Sequence, residues 1–272
     1  MRVGQHRVRK PRNFGVAPES YRGSRARACS GSINGLFKIN ISPKINFRAF
    51  QELGIRMPTT KELVESLRRR VDHVPYGQDN EISKALGDLR SQRSDVSGGI
   101  CFGLSCQWVE LHRDYHSMGN GEKYRISCIS SRIKDLASDS AYFYRAMNSQ
   151  AEYMNNDGDA IQRMSETAKK YKLQLEAKVK HNNSEQLTRS VGITHSYHLI
   201  TFGYGSGQHA ICSYKSGGKI FGIGSHIYVF DANLGEFRVK SGEIVSFFQE
   251  YFNVYASQGP IKFRNSFRVA FR

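Results

Sequence analysis

Apolar residues recur along this chain at helical spacing through its first two thirds and then collect in short continuous runs. Residues 60–71 place Leu63, Val64, Leu67 and Val71 on one helical face, with Thr60 as the expected N-cap. Residues 101–115 bring Cys101, Leu104, Ser105, Trp108, Val109, Leu111 and His112 together at three- and four-residue intervals, behind the flexible pair Gly98 and Gly99. That pattern predicts a loop feeding a helix whose first residue is near Cys101. Two further helices are expected over 130–150 (Ile133, Leu136, Ala137, Phe143, Tyr144, Met147) and 158–179 (Ile161, Met164, Ala168, Tyr171, Leu175, Val179). Apolar runs bounded by glycine turns then predict strands at 194–203, 208–214 and 227–231, followed by a helix over 242–255 and a strand over 260–271. Helices first and an antiparallel meander afterwards give an α+β fold.

Upstream the pattern is weaker. Residues 33–58 alternate in part, as short strands or an extended segment laid on a core would. Residues 72–99 are polar, with a short helix expected over 80–89, and read as a linker. The 272 residues allow one or two domains with a full core, at roughly 100–200 residues per domain. At 39% apolar and 24% charged residues, whole-chain disorder is excluded. No apolar run approaches the ~18 residues that a membrane helix needs, and the N-terminus lacks the apolar stretch of a Sec signal.

The net charge of +16 is unevenly spread. Residues 1–30 carry Arg2, Arg7, Arg9, Lys10, Arg12, Arg22, Arg25 and Arg27 against Glu19 alone, and the C-terminal end carries Lys262, Arg264, Arg268 and Arg272. The expected organisation is a basic, flexible arm over 1–32, an N-terminal extension over 33–89 and a main domain over 90–272. No zinc-finger spacing, RNA-binding aromatic strand or helix-turn-helix pattern accompanies the charge, so specific nucleic-acid binding is not expected. Acidic membrane surfaces and acidic proteins remain as partners for the arm.

Five cysteines are too few and too scattered for a disulfide framework, which leaves reduced thiols, one of which can be reactive. Cys101 is the candidate. A sulfur at a helix start meets unpaired amides and the positive end of the helix dipole, both of which favour a thiolate. A cysteine nucleophile needs an imidazole to take its proton and a polar group to orient that ring. His209 begins an expected strand after a glycine turn, and Asp231 closes a strand 22 residues later. The order of helix-borne Cys, strand-borne His and strand-borne Asp is that of a papain-like thiol protease.

A rival grouping, His195, His198, His209 and Cys212, has H-x-x-H and H-x-x-C spacing. On strands, residues three apart point to opposite faces, which disfavours one shared zinc ion, so no metal or cofactor is expected. His112 and His116 share a helix face but lack a third ligand. Trp108, two turns beyond Cys101, reads as core packing beneath the site, and Cys106, Cys128 and Cys212 read as structural.

The segments GGICFGLSCQWVELH, GSGQHAICSY and YVFDANLGEF resemble the YopT/AvrPphB family of cysteine proteases, effectors that bacterial type III secretion delivers into host cells. The resemblance covers roughly residues 90–260. It implies a papain-like fold with Cys101 as nucleophile, His209 as general base and acid, and Asp231 as the orienter of His209. It also implies a host protein as substrate, either a Rho-type GTPase or a cytoplasmic kinase, a secretion chaperone, and residence in the host cytoplasm or at a host membrane. One departure stands out. Relatives place an Asn five residues before the nucleophile, where this chain has Val96. Gln92 is then the candidate side chain for the oxyanion, beside the Cys101 amide. A catalytically weak papain-like effector that acts by binding a host protein is the alternative that Val96 raises.

Overall fold

A computed structural model of the chain describes residues 58–75, 99–117, 140–155, 157–218 and 224–271. The basic arm, nearly all of the 33–58 segment, the helix expected over 80–89, and Gln92, Val96 and Cys128 lie outside them, as does the side chain of His116. The first described elements are helix α1 (Thr60–Arg70) and strand β1 (Asp72–Pro75). The N-cap of α1 is Thr59 rather than Thr60. Its hydroxyl accepts from the Glu62 amide while the Glu62 carboxylate accepts from the Thr59 amide, so two orphan donors are satisfied reciprocally.

Helices α2 (Cys101–Ser117), α3 (Ser140–Asn155) and α4 (Ala160–Lys169) come next. The helix expected over 158–179 ends at Lys169. After a turn in which Lys172 takes a φ of 57°, the chain continues as strand β2 (Leu173–His181). Tyr171, Leu175 and Val179 are spaced by four, an interval common to the helical repeat and to the period of two, and that ambiguity hid the strand. Helix α5 (Ser184–Val191) follows, capped by the Asn183 side chain on the Gln186 amide. The expected meander is strands β3 (Ser196–Tyr204), β4 (Gly207–Lys215) and β5 (His226–Asp231), extended by β6 (Gly235–Lys240). A 3₁₀ turn leads into helix α6 (Ile244–Ala256), and strand β7 (Ile261–Phe271) ends the fold.

The described strands form one antiparallel sheet in the order β1-β6-β5-β4-β3-β7-β2. The segment read as a linker from residue 72 thus begins as an edge strand. Helices cover both faces. Tyr228 and Phe230 face α2, α3 and α4, while Ile227 and Val229 on the same strand face α1, α5 and α6. Burial on both faces explains why these strands read as continuous apolar runs rather than alternating ones.

Three contacts set the position of α2. Trp108 is buried, stacks on His112 at 4.5 Å, and donates its indole N–H to the buried Glu236 of β6 at 3.0 Å. The Ser105 hydroxyl donates to the Ala210 carbonyl of β4 at 3.2 Å. Gly103 lets α3 approach so closely that a Cβ there would lie 2.3 Å from the Ala146 carbonyl oxygen. Replacing Gly103 with alanine therefore forces backbone apart. The expected loss is ~1–3 kcal/mol, read as a lower melting temperature in a thermal unfolding experiment; an unchanged melting temperature would contradict this packing.

Candidate active site

Cys101 opens α2, and the turn before it needs Gly99, whose φ of 102° other residues rarely adopt. The first amides of a helix have no acceptor within it. Here the Phe102 and Gly103 amides donate to the Gln150 side-chain oxygen at 3.2 and 3.4 Å, a cap supplied by α3. Cys101 itself is partly exposed at the start of the helix, whereas Cys106 and Cys212 are sealed in the core.

His209 stands opposite Phe202 near the beginning of β4, and Ile211 stands opposite Asp231 on β5. Residues two apart on a strand share a face, so His209 and Asp231 are diagonal neighbours on the face covered by α6. His209 Nε2 lies 2.9 Å from Asp231 Oδ1. That leaves Nδ1 for the Cys101 sulfur, which is hydrogen-bonded to the imidazole and to the Ala210 amide. The ring is held by Phe202 edge-on at 5.5 Å and by Tyr255 at 5.2 Å.

Asp231 is completely buried. Its Oδ1 also accepts from the Asn233 amide at 2.7 Å, and its Oδ2 accepts from the hydroxyls of Tyr255, at 2.7 Å, and Tyr251. Burial and the neighbouring carboxylate push both phenols well above their usual range, so both stay O–H donors. Sequence reasoning missed these two tyrosines. Their signal was a four-residue interval on α6, which places both on one face, but aromatic residues at that spacing read as core.

Charge then distributes across the triad. Burial raises the Cys101 thiol, but the imidazolium charge and hydrogen bonds from His209 and Ala210 outweigh it, and the thiol sits below its ordinary value of 9.0. Burial lowers His209, but the charges and hydrogen bonds of Asp231 and Cys101 lift it to about 10. Asp231 falls below its usual range because His209, Tyr251 and Tyr255 offset its desolvation. Each shift favours the thiolate–imidazolium form of the pair over the neutral thiol and imidazole.

The pair borders a cleft of about 740 Å³ that reaches Tyr153, Met154, Met164, Tyr204 and Phe263. The rival histidine grouping does not assemble there. His195 is exposed in the turn before β3 with a φ of 56°, and His198 is buried on β3, where burial, Arg268 and His181 hold its pKa at about 4. Cys212 faces the α2 layer, away from His209. Among the described residues no three His, Cys, Asp or Glu side chains cluster as a metal site requires.

A family model, Peptidase_C58, described as Yersinia/Haemophilus virulence surface antigen, matches residues 77–266. Among solved structures, the Pseudomonas avirulence protein AvrPphB is similar at 19% identity and a TM-score of 0.49, over 65% of this chain and 95% of that one. The cysteine protease-like domain PatoxP of the Photorhabdus asymbiotica toxin PaTox is similar at 15% identity and a TM-score of 0.40, over 82% of this chain and 60% of that one. No curated protein matches.

Alkylation of Cys101 by iodoacetamide should rise along a limb centred below 9.0, because the thiolate persists below the free-thiol range. It should change again only as His209 loses its proton near pH 10, and Asp231→Asn should bring that upper limb down. Rates measured against pH check both limbs; an ordinary free-thiol profile would contradict the ion pair. Tyr251→Phe leaves a buried carboxylate lone pair unanswered, at a cost of ~1–3 kcal/mol in chemical denaturation.

Proposed function

The chain belongs to the Peptidase_C58 family of cysteine proteases and has the papain-like cysteine protease fold; from that premise we propose that it is an endopeptidase that cleaves a host protein through Cys101, His209 and Asp231. The observation that carries this reading is the unbroken hydrogen-bonded series from the Cys101 sulfur through the His209 ring to Asp231 at the edge of an open cleft.

The chemistry is amide hydrolysis. The Cys101 thiolate attacks the scissile carbonyl carbon, a C–S bond forms, and the carbonyl electron pair moves to oxygen. The Cys101 amide, which has no acceptor inside its helix, offers one donor to that oxyanion. As the carbonyl reforms, the C–N bond breaks and His209 gives its proton to the departing amine. Water then gives a proton to His209 and attacks the acyl-enzyme, which releases the carboxylate product and restores the thiol pair. Asp231 holds the imidazole with Nδ1 towards sulfur and stabilises its charge.

The substrate is proposed to be a protein of the cell into which the chain is delivered, in keeping with a virulence-associated family. No helix among the described residues is long and apolar enough to cross a membrane. The basic residues of 1–30 support attraction to an acidic membrane surface, where lipid-anchored substrates reside.

Comparing new protein N-termini in host lysates treated with the wild-type chain and with Cys101→Ser tests the reading. Cleavages present only with the wild type are expected, together with a loss of at least ~10³-fold in turnover for Cys101→Ser. Identical N-terminal profiles from a folded wild type would contradict it. Asp231→Ala should lower kcat more than KM, measured on the peptide spanning the cleavage site that such a comparison identifies.

A further inference from the structure

We propose that Gln150 supplies the second oxyanion donor of this site, from α3 rather than from the loop before the nucleophile. The proposal rests on the protease reading above. Gln150 is only 5% exposed and lines the same cleft as Cys101 and His209. Its side-chain carbonyl accepts from the Phe102 and Gly103 amides. Two N–H donors on one atom require that atom to be oxygen, so the orientation of the carboxamide is settled by chemistry.

The opposite end of the carboxamide is therefore NH₂. This nitrogen has no hydrogen-bond partner among the described residues, and Gln150 lines the cleft that Cys101 borders. A side chain that is nineteen-twentieths buried, with its acceptor end used and its donor end idle beside a reactive sulfur, is placed to donate to a negative oxygen forming there. The Cys101 amide is the neighbouring free donor, since the amides at 102 and 103 are already taken.

The scaffold fixes this geometry. Ala146 lies one helical turn before Gln150 on α3, and its carbonyl rests against Gly103 of α2. The close approach that Gly103 permits brings the carboxamide over the first turn of α2. In the reaction, the π electrons of the attacked carbonyl move onto oxygen, and the Cys101 N–H and one Gln150 N–H stabilise that charge. No proton is transferred to or from Gln150, and the donors are released when the C–N bond breaks.

Two reactions of the full-length protein separate oxyanion stabilisation from simple capping. Acylation of Cys101 by p-nitrophenyl acetate passes through an oxyanion, whereas alkylation by iodoacetamide at the same sulfur does not. Both are measured for wild type, Gln150→Ala, Gln150→Met and Gln92→Ala, with Cys101→Ser as background and melting temperature as the check on folding. The expected result is a fall of about 10²-fold in acylation for both Gln150 variants, with alkylation within a factor of about three and Gln92→Ala close to wild type. Equal losses in both reactions would make Gln150 a positioning residue and overturn the proposal. So would unchanged acylation, or a loss confined to Gln92→Ala. A folded wild type that alkylates but never acylates would instead fail the protease reading itself, and the oxyanion proposal with it.

Discussion

A carboxylate with no exposure to solvent can persist in a protein only if its lone pairs are answered. Asp231 meets that condition with four donors from three directions: the imidazole of β4, the Asn233 amide just beyond its own strand, and two phenols from α6. Remove the answering groups and the charge would neutralise or the fold would give way. Because His209 is one of the four, the carboxylate holds the ring in place and keeps it charged. The aromatic stripe of α6 therefore does two things at once. Tyr251 and Tyr255 fill the layer between helix and sheet, and their hydroxyls set the electrostatics of a ring one strand away.

The sulfur reaches that ring from the other layer. Cys101 packs with the cluster under α2, α3 and α4, while His209 and Asp231 stand on the face covered by α6. The two meet where β4 begins, so their separation depends on how firmly α2 is fixed to the sheet. Ser105, one turn past Cys101, ties the helix to Ala210, next to His209, and Trp108, two turns past Cys101, ties it to Glu236. The placement of the Cys101 sulfur beside the His209 ring is thus a property of a helix–sheet junction rather than of a loop, in keeping with the need to hold such groups within a fraction of an ångström.

The parts legible in the sequence were those whose residue types are rare in their local setting. A cysteine after two glycines at a helix start, a histidine after a glycine turn and an aspartate closing an apolar run each stand out, and the structure brings all three together. Tyr251, Tyr255, Ser105 and Gln150 did not stand out because their function depends on which neighbour they face. Tyrosine on an apolar stripe looks like core, and a glutamine on a helix looks like surface. The misread strand β2 has a related cause, since intervals of four satisfy two periods at once. Helix α5 carried a usable signal that went unread: Asn183 before a short segment whose Leu187 and Val191 share a face. Strand β6 offered only Phe237 and Val239 as apolar alternation, too short to separate from the turn before it. Gln150 could not be read as a neighbour of Cys101, because local pattern does not show that α3 packs against the start of α2, as it does at Gly103.

The central claim is that Cys101 is held as a reactive thiolate by an imidazole that Asp231 orients. Its most direct test is covalent labelling with an epoxysuccinyl thiol-protease inhibitor, read by intact-mass and peptide mass spectrometry on wild type and His209→Ala. The account predicts one adduct per chain, on Cys101, formed quickly in the wild type and nearly absent from a folded His209→Ala variant. Equal labelling of the two proteins, or adducts spread over other cysteines with Cys101 untouched, would contradict it.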